Sequence, residues 1–278
     1  MGVLITRLVE NATSNAVGSR SFTRLETVGG MGKMAVGVVR TAFTTRGWFD
    51  EALEEASAAS KRSFGPLLLS HFVYLVGFGI LLFGLVVANL GLLDREGGFV
   101  NIVWTREIST WVTGMVFAGV VGSAMAADLG ARKIREELDA LAVLGVPTMR
   151  TLVLPRVAAL TMVAPVLAMV SLVIVSSVNL LLAPPVLGFS RGVWIDSWVM
   201  SLHSTDVFFV VVLKMTIIGF FVGVVSCYKG LTTSAGAEGV GRAVNETVVL
   251  TFLGIWLINS VFNLAYGALF PAASAMRG

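Results

Sequence analysis

Long uncharged intervals, mostly apolar, divide this 278-residue sequence. An α-helix rises about 1.5 Å per residue, so about 20 apolar residues cross a hydrocarbon core of about 30 Å. The intervals are too long for the strands of an outer-membrane barrel, and they lack its alternation of polar and apolar positions. They therefore predict an all-α integral membrane protein with five transmembrane helices. The expected spans are at about 66–93, 108–127, 157–183, 207–228 and 247–270.

Composition agrees with this pattern and explains the low average charge. The chain is 56% hydrophobic and 13% charged, with a mean hydropathy of +0.86. Four of the five intervals contain no charged residue, and the fourth, 207–228, contains only Lys214. All other charged residues lie in the connecting segments, which are therefore as charged as an ordinary soluble surface. We therefore divide the chain into an amino-terminal cytoplasmic or interfacial region, 1–65, and a membrane domain, 66–276.

The distribution of positive charge predicts the orientation in the membrane. Fifteen Lys and Arg residues lie in 1–65, 128–156 and 229–246, whereas only four lie in the alternate connections and the tail. The positive-inside rule then places the amino terminus in the cytoplasm and the carboxyl terminus outside. The pI of about 9.3 follows from these cytoplasmic loops and predicts no nucleic-acid partner. Four tryptophans near the outer helix ends fit an interfacial aromatic belt: Trp104, Trp111, Trp194 and Trp198.

No set of residues in the sequence indicates catalysis. His71 and His203 are isolated, and the single cysteine, Cys227, excludes an internal disulfide. The cluster Gly29–Lys33 is not a phosphate-binding loop, because Met34 stands where serine or threonine is required. We therefore predict no catalytic residue, no metal site and no cofactor in this chain.

The cytoplasmic segment between the second and third spans has the pattern of a short amphipathic helix. Apolar residues recur at helical spacing at Ile134, Leu138 and Leu141, and charged residues occupy the other faces. Gly145 and Pro147 are stop signals, so the helix is expected at about 132–144. Docking of a soluble partner protein and a position on the lipid surface both fit this pattern.

Small residues repeat every four positions in the second span and indicate close helix packing. A shorter repeat occurs in the fourth span. The helix that packs against these small residues belongs either to this chain or to a second subunit. The predicted packing residues are Gly114, Ala118, Gly122, Ala126, Gly219 and Gly223.

Polar residues within the spans are the remaining candidates for function. Lys214 lies eight residues after Asp206, roughly 12 Å into the fourth helix. A lysine inside a span costs about 3 kcal/mol, so it should snorkel to water, pair within the protein, or contact a lipid head group or an outer partner. Asn259 and Asn263, one turn apart in the last span, are expected either to join helices or to line a cavity.

In combination, several motifs resemble the MlaE/YrbE permease family, and in particular the YrbE permeases of actinobacterial Mce systems. The similarity extends over about residues 60–270. The motifs are Thr105–Ile108, Ala118–Gly122, Glu136–Leu141, Leu154–Arg156 and Thr233–Ala243.

This resemblance implies the membrane subunit of an ABC lipid transporter. Family members have interfacial amino-terminal helices, here matched by 34–62, followed by five spans, and they work as dimers. ATP and magnesium belong to a cytoplasmic ABC ATPase dimer, which receives a coupling helix of the permease. Mce systems pair two different YrbE chains beneath an extracytoplasmic Mce protein hexamer in the plasma (inner) membrane. The coupling residues implied here are Arg132, Arg135, Glu136, Glu137, Leu138, Asp139 and Leu141.

Two features depart from the family pattern. Ser109-Thr110 replaces a Gly-Pro found in many relatives, and Val120 replaces an arginine. A polar role of this part of the second span is therefore in doubt. The changes suit one half of a heterodimer, although a homodimer stays open.

Two other function classes share these sequence features. A membrane scaffold could anchor an extracytoplasmic assembly without moving a lipid. A secondary transporter would need broken helices and ionisable groups near the membrane midplane, for which Lys214 is the single candidate.

Overall fold

The computed structural model describes residues 25–234 and 236–271. Within these ranges the chain forms eight helices and no strand. Residues 1–24 of the predicted amino-terminal region and 272–276 of the predicted membrane domain lie outside the described residues. The helices are α1 (25–44), α2 (Phe49–Asn89), α3 (Leu93–Ile134), α4 (Glu137–Val143), α5 (Met149–Leu187), α6 (Arg191–Ser201), α7 (Asp206–Leu231) and α8 (Ala237–Leu269).

Five of these helices are long and apolar enough to cross a membrane: α2, α3, α5, α7 and α8. They contain between 26 and 42 residues. The prediction of an all-α integral membrane protein with five membrane-spanning helices is therefore confirmed. Most of the helices extend beyond the apolar intervals, because charged residues such as lysine, arginine and glutamate are themselves good helix formers.

The first span continues an amino-terminal charged segment without a break. We expected a boundary near residue 66, but α2 already begins at Phe49 and carries Pro66 in its interior. Residues 49–62, expected as part of the interfacial region, are thus continuous with the first helix that is long and apolar enough to cross a membrane. Proline inside a long membrane helix is tolerated where neighbouring groups satisfy the freed carbonyl.

The predicted cytoplasmic helix 132–144 is divided in the structure. Residues up to Ile134 continue α3, and α4 covers only Glu137–Val143. Glu136 separates the two helices with a left-handed backbone (φ 59°), a conformation that interrupts helical hydrogen bonding. Helical periodicity persists in the sequence across this point, so it gave no sign of the break. Gly145, also left-handed (φ 71°), follows the end of α4.

Helix α5 lies in the middle of the bundle, between α2 and α7, and α3 packs against both α7 and α8. The main apolar core contains Phe117, Leu160 and Ile218, all completely buried. The hydrophobic stretch of α8 is only 17% buried within this chain, compared with 61% for that of α3. One long side of α8 is therefore left for lipid or for another protein.

The predicted packing glycines lie where helices approach closely. A Cβ at Gly219 would overlap the carbonyl oxygen of Leu160, and one at Gly223 would lie 3.0 Å from Val157 Cα. Both positions bring α7 onto α5.

The small-residue stripe of α3 faces two other helices of this chain. A Cβ at Gly114 would lie 3.1 Å from Ile255 of α8, and one at Gly122 would lie 2.8 Å from the Ser226 hydroxyl of α7. Ala118 and Ala126 are fully buried. The helix neighbours of the stripe therefore lie within the same subunit.

Helix α6 covers the end of the bundle where α3 begins, which is the predicted outer side. The Gly98 amide donates a hydrogen bond to Ser197 Oγ (2.8 Å), and Asn101 donates to Ser201 Oγ (3.0 Å). Trp104 and Trp194 are buried, with exposed fractions of 1% and 3%. The aromatic-belt prediction is therefore wrong for these two tryptophans, which pack inside the protein instead of facing lipid head groups.

Candidate functional site

A polar network joins α3, α7 and α8 in the predicted outer half of the bundle. Its centre is Lys214, whose side chain is completely buried. The Lys214 ammonium donates hydrogen bonds to the Arg106 carbonyl oxygen (2.6 Å) and to Asn259 Oδ1 (2.8 Å). Lys214 therefore does not snorkel to water, and its hydrogen bonds are to groups of the same chain.

Two asparagines of α8 extend this network to a carboxylate of α3. Asn259 Nδ2 donates to one oxygen of Glu107 at 2.7 Å, and Asn263 Nδ2 donates to the other. Asn259 thus bridges Lys214 and Glu107, accepting from the ammonium and donating to the carboxylate. Both asparagines join helices, which is one of the two roles expected from the sequence.

An ion pair forms the second half of the network. Arg106 Nε donates to Asp206 Oδ1 at 2.9 Å, and the exposed fractions of the two side chains are 13% and 1%. The Arg106 guanidinium also lies over the Tyr266 ring, 4.6 Å from its centroid. The Tyr266 hydroxyl is within hydrogen-bond distance of Thr205 Oγ1 (2.9 Å). Residues from α3, the start of α7 and the end of α8 thus meet in one cluster.

The network combines two positive and two negative side chains, so its formal charge is zero. Removing one member of a buried ion pair typically costs about 3–5 kcal/mol, because its partner stays buried without compensation. The four charged groups, Arg106, Glu107, Asp206 and Lys214, therefore hold the three spans in one arrangement.

Sequence reasoning identified Lys214, Asn259 and Asn263 but missed the charged partners. Arg106 and Glu107 were noted only as part of a family motif. They lie about 100 and 150 residues from their partners, so no helical spacing connects them. The sequence did offer one indication of these partners, because Arg106 and Glu107 lie directly before the apolar interval of the second span.

A second polar cluster lies on the predicted cytoplasmic side, around Arg156 at the start of α5. Its side chain is 9% exposed and donates to Glu55 of α2 (3.1 Å) and to Asp128 of α3 (2.6 Å). Asp128 also accepts from Arg132 at 3.2 Å. This cluster ties the base of α3, which leads into α4, to α2 and α5.

The predicted coupling residues lie on both sides of the break at Glu136. Leu138 is buried and anchors α4, and Leu141 is half-buried. Arg135 and Glu137 form an ion pair at 2.7 Å, which raises the pKa of the Arg135 guanidinium above its ordinary value.

The tip of α4 is exposed. Asp139 is exposed and pairs with Lys133 at 3.0 Å, while Val143 and Leu144 are 88% and 75% exposed. The surface therefore combines acidic side chains with uncovered aliphatic ones.

The departures from the family pattern occupy interior positions of α3. Ser109 and Thr110 are each 2% exposed, and Val120 packs against the main apolar core. Both are next to helices of this chain, so the structure gives no reason to assign them to a partner.

Comparison with known protein families decides the class of this membrane protein. Residues 53–265 match the family described as Permease MlaE. The chain belongs to the MlaE permease family. The four charged residues and two asparagines of the polar network, the stripe of small residues and α4 all lie inside the matched segment.

Several named proteins are similar to this MlaE-family chain. A probable ABC transporter permease protein of Synechocystis is 31% identical over 199 residues, covering 70% of this chain and 75% of that protein. Protein TRIGALACTOSYLDIACYLGLYCEROL 1, chloroplastic, of Arabidopsis thaliana is 32% identical over 211 residues, which cover 76% of this chain. The match spans only 60% of the plant protein. A probable ABC transporter permease protein of Rickettsia typhi is 34% identical over 155 residues, or 56% of this chain and 60% of that protein.

Proposed function

We propose that this MlaE-family chain is the transmembrane permease subunit of an ABC-type Mce lipid transporter in the plasma (inner) membrane. Its substrates are hydrophobic lipids such as fatty acids, sterols or related lipids of the cell envelope. ATP and magnesium bind a separate cytoplasmic ATPase dimer, and this chain is not itself an enzyme. Its amino terminus is cytoplasmic and its carboxyl terminus extracytoplasmic.

The exposed tip of α4 is the observation that carries this proposal. Val143 and Leu144 are adjacent aliphatic residues at the end of α4, and they are 88% and 75% exposed. Asp139, one helical turn before Val143, is also exposed, and so is Glu136 at the break before α4. An exposed apolar surface flanked by charged side chains suits docking to a partner protein. The tip follows α3 directly, so force applied to α4 reaches a membrane-spanning helix.

The uncovered side of α8 supports a second permease subunit. Trp256, Leu257 and Leu264 are exposed along this helix. A second YrbE-type chain, different from this one, would form a dimer with a lipid-accepting cavity between the two subunits. Binding there would be mainly apolar, at about 0.8 kcal/mol per buried methylene group, which favours long acyl chains or sterols over small polar solutes. An Mce protein hexamer would cover the outer side and exchange lipid with this cavity.

In this mechanism, closure of the ATPase dimer moves α4, and the membrane helices follow as rigid bodies that open or collapse the cavity. The clusters around Arg156 and Lys214 keep the helices together during the movement. The proposal requires no proton or ion gradient.

Reversing the acidic charges of the α4 region tests the coupling. In a chain carrying Glu136→Lys, Glu137→Lys and Asp139→Lys, we expect the ATPase subunit no longer to co-purify. ATP-driven lipid transfer in proteoliposomes should fall by at least tenfold, while insertion into the membrane is unchanged. If both co-purification and transfer stay at the level of the unaltered chain, the coupling assignment is wrong.

A matched control places the same change of charge elsewhere on the predicted cytoplasmic side. Asp50, Glu51 and Glu54 are exposed near the start of α2. Replacing all three by lysine should leave ATPase binding and lipid transfer within twofold of the unaltered chain.

The same reconstituted system separates the other function classes. A scaffold would retain the Mce proteins but show no ATP-dependent transfer. A secondary transporter would move its substrate with an ion gradient in the absence of the ATPase. Either result would overturn the proposal.

A further inference from the structure

Helix α1 lies across the base of the bundle and contacts it through one apolar face. Val38 is buried, and Met34, one turn earlier, is half-buried. Both belong to an apolar cluster with Leu129 of α3, Leu154 of α5 and Cys227 of α7. The last three residues lie near the ends of their helices on the predicted cytoplasmic side. Helix α1 is therefore held at the level where three membrane-spanning helices reach that side.

The opposite face of α1 is also apolar, but it is exposed. Leu25, Val36 and Phe43 are 70%, 69% and 88% exposed. Their positions in the sequence place them along one line of the helix, and Val28 and Val39 beside that line are exposed as well. A helix on a water-exposed protein surface normally presents polar side chains on the side away from the core. The exposed face of α1 therefore needs an apolar environment.

Basic side chains border the exposed face of α1. Lys33 and Arg40 lie one turn before and one turn after Val36, and Arg46 follows the end of the helix. All three basic residues are exposed, and none of them belongs to an ion pair formed by the described residues. Arg156, at the same end of the bundle, instead pairs with two carboxylates. The positive charge beside the exposed face is therefore available to an anionic partner.

Acidic phospholipids at a bilayer surface match both features of α1. Apolar side chains of an interfacial helix enter the boundary between head groups and acyl chains by about 5–10 Å, and long basic side chains at its edge reach the phosphates. Each lysine or arginine near such an acidic surface contributes about 1 kcal/mol. Helix α1 is fixed beside the ends of the spans, so the bilayer that surrounds those spans is the nearest apolar surface that carries negative charge.

We propose that the exposed face of α1 binds the bilayer surface and selects acidic phospholipids, with Val36 and Phe43 among the acyl chains and Lys33 and Arg40 at the phosphates. The inference goes beyond the proposed function, because neither the ATPase nor the transported lipid takes part in this contact.

The test measures which lipids surround the exposed face of α1. In the full chain with Cys227→Ala, the substitution Phe43→Cys provides a single thiol for an NBD fluorophore. The labelled protein is placed in nanodiscs of phosphatidylcholine and phosphatidylglycerol, and a nitroxide quencher is attached to the acyl chain of one lipid or the other. We expect nitroxide phosphatidylglycerol to quench at least twofold more strongly than nitroxide phosphatidylcholine at low salt. High salt should bring this ratio close to one, because it screens exposed charges.

The quenching pattern also separates the other environments of this face. Equal quenching by the two lipids at low salt overturns the selection of acidic phospholipids. Quenching by aqueous iodide but by neither lipid shows that the face is open to water. No quenching by iodide or by either lipid shows that protein covers it. Each of these three results overturns the proposal.

Two charge variants locate the lipid selectivity. Lys33→Gln combined with Arg40→Gln should lower the low-salt ratio to about one. Lys229→Gln combined with Arg242→Gln is the matched control, because it removes the same charge on the same predicted side from residues that pair with glutamates at 2.7 and 3.2 Å. If the control lowers the ratio as much, the net charge of the chain causes the selectivity and the proposal fails. The lipid and salt comparisons keep both basic residues of α1, so they decide the proposal even if a charge variant does not fold.

These measurements are independent of the transport assay. If acidic phospholipid is not enriched at α1 while ATP-driven lipid transfer is intact, only this inference fails. If transfer fails while the enrichment is observed, only the proposed function fails.

Discussion

Neutralising Lys214 is the most direct test of the buried polar network. In the variant Lys214→Met, the remaining charged groups of the network are Arg106, Asp206 and Glu107, with a formal charge of −1. Lys214 is completely buried and is hydrogen-bonded to Asn259, so water cannot replace it without opening the helix interface. We expect a loss of about 1–3 kcal/mol in the free energy of unfolding, because the Arg106 carbonyl and Asn259 Oδ1 lose their charged donor. At about 2–4 °C per kcal/mol for a protein of this size, the melting temperature should fall by about 2–12 °C.

A second substitution restores the charge balance. Glu107→Gln alone removes a charge that accepts hydrogen bonds from Asn259 and Asn263, and should cost about 1–3 kcal/mol. In the double variant with Lys214→Met the formal charge returns to zero. The double variant should therefore be less destabilised than the sum of the two single variants, by at least about 1 kcal/mol.

The assay is reversible unfolding of the purified chain in mixed detergent micelles, followed by tryptophan fluorescence. Lys229→Met is the matched control on the same helix, because Lys229 pairs with the half-exposed Glu246 at 2.7 Å near the predicted cytoplasmic end. Its cost should be about 1 kcal/mol or less. Strictly additive effects of Lys214→Met and Glu107→Gln would refute the electrostatic coupling, and a cost below that of the control would refute the burial argument.

Two further predictions concern packing and accessibility. Gly219→Leu should reduce the amount of folded chain in the membrane, because the new side chain collides with Leu160 and Ala164. Gly267→Ala is the control and should have no effect, because the space around its Cβ is open. Equal yields of the two variants in size-exclusion chromatography would contradict the close approach of α7 and α5. Cys227 is completely buried, so its thiol should not react with a polar maleimide while the protein is folded in detergent solution. After denaturation it should react fully. Rapid labelling of the folded protein would show that the interior around Cys227 is open.

The sequence predicted the number and position of the spans, because each long apolar interval is long enough to cross a membrane. Inside the hydrocarbon core, such a segment can satisfy its backbone N–H and C=O groups only by forming a helix. Helix ends were predicted less well. Charged helix formers before Pro66 extended α2, and a single left-handed residue, Glu136, ended α3 inside a segment with uninterrupted helical periodicity. Composition and spacing contain little information about either event.

The candidate site was predicted only in part, for a physical reason. Lys214 was conspicuous because a charge inside a span is costly, and the same cost implies a partner somewhere in the structure. The identity of the partner depends on which helix faces meet, and Glu107 and Asn259 are brought together from positions 152 residues apart.

The uninterrupted course of α3 has a geometric consequence for its two ends. Glu107 and Ile134 are 27 residues apart on one helix, which corresponds to about 40 Å along its axis. A tilt of about 5° around the α4 end therefore displaces Glu107 by about 3.5 Å, more than the length of an ordinary hydrogen bond. The contacts to α7 and α8 would break under such a tilt unless these helices tilt with α3. A small angular change at the α4 end thus has two discrete outcomes at the other end: joint movement of three helices or rupture of the network.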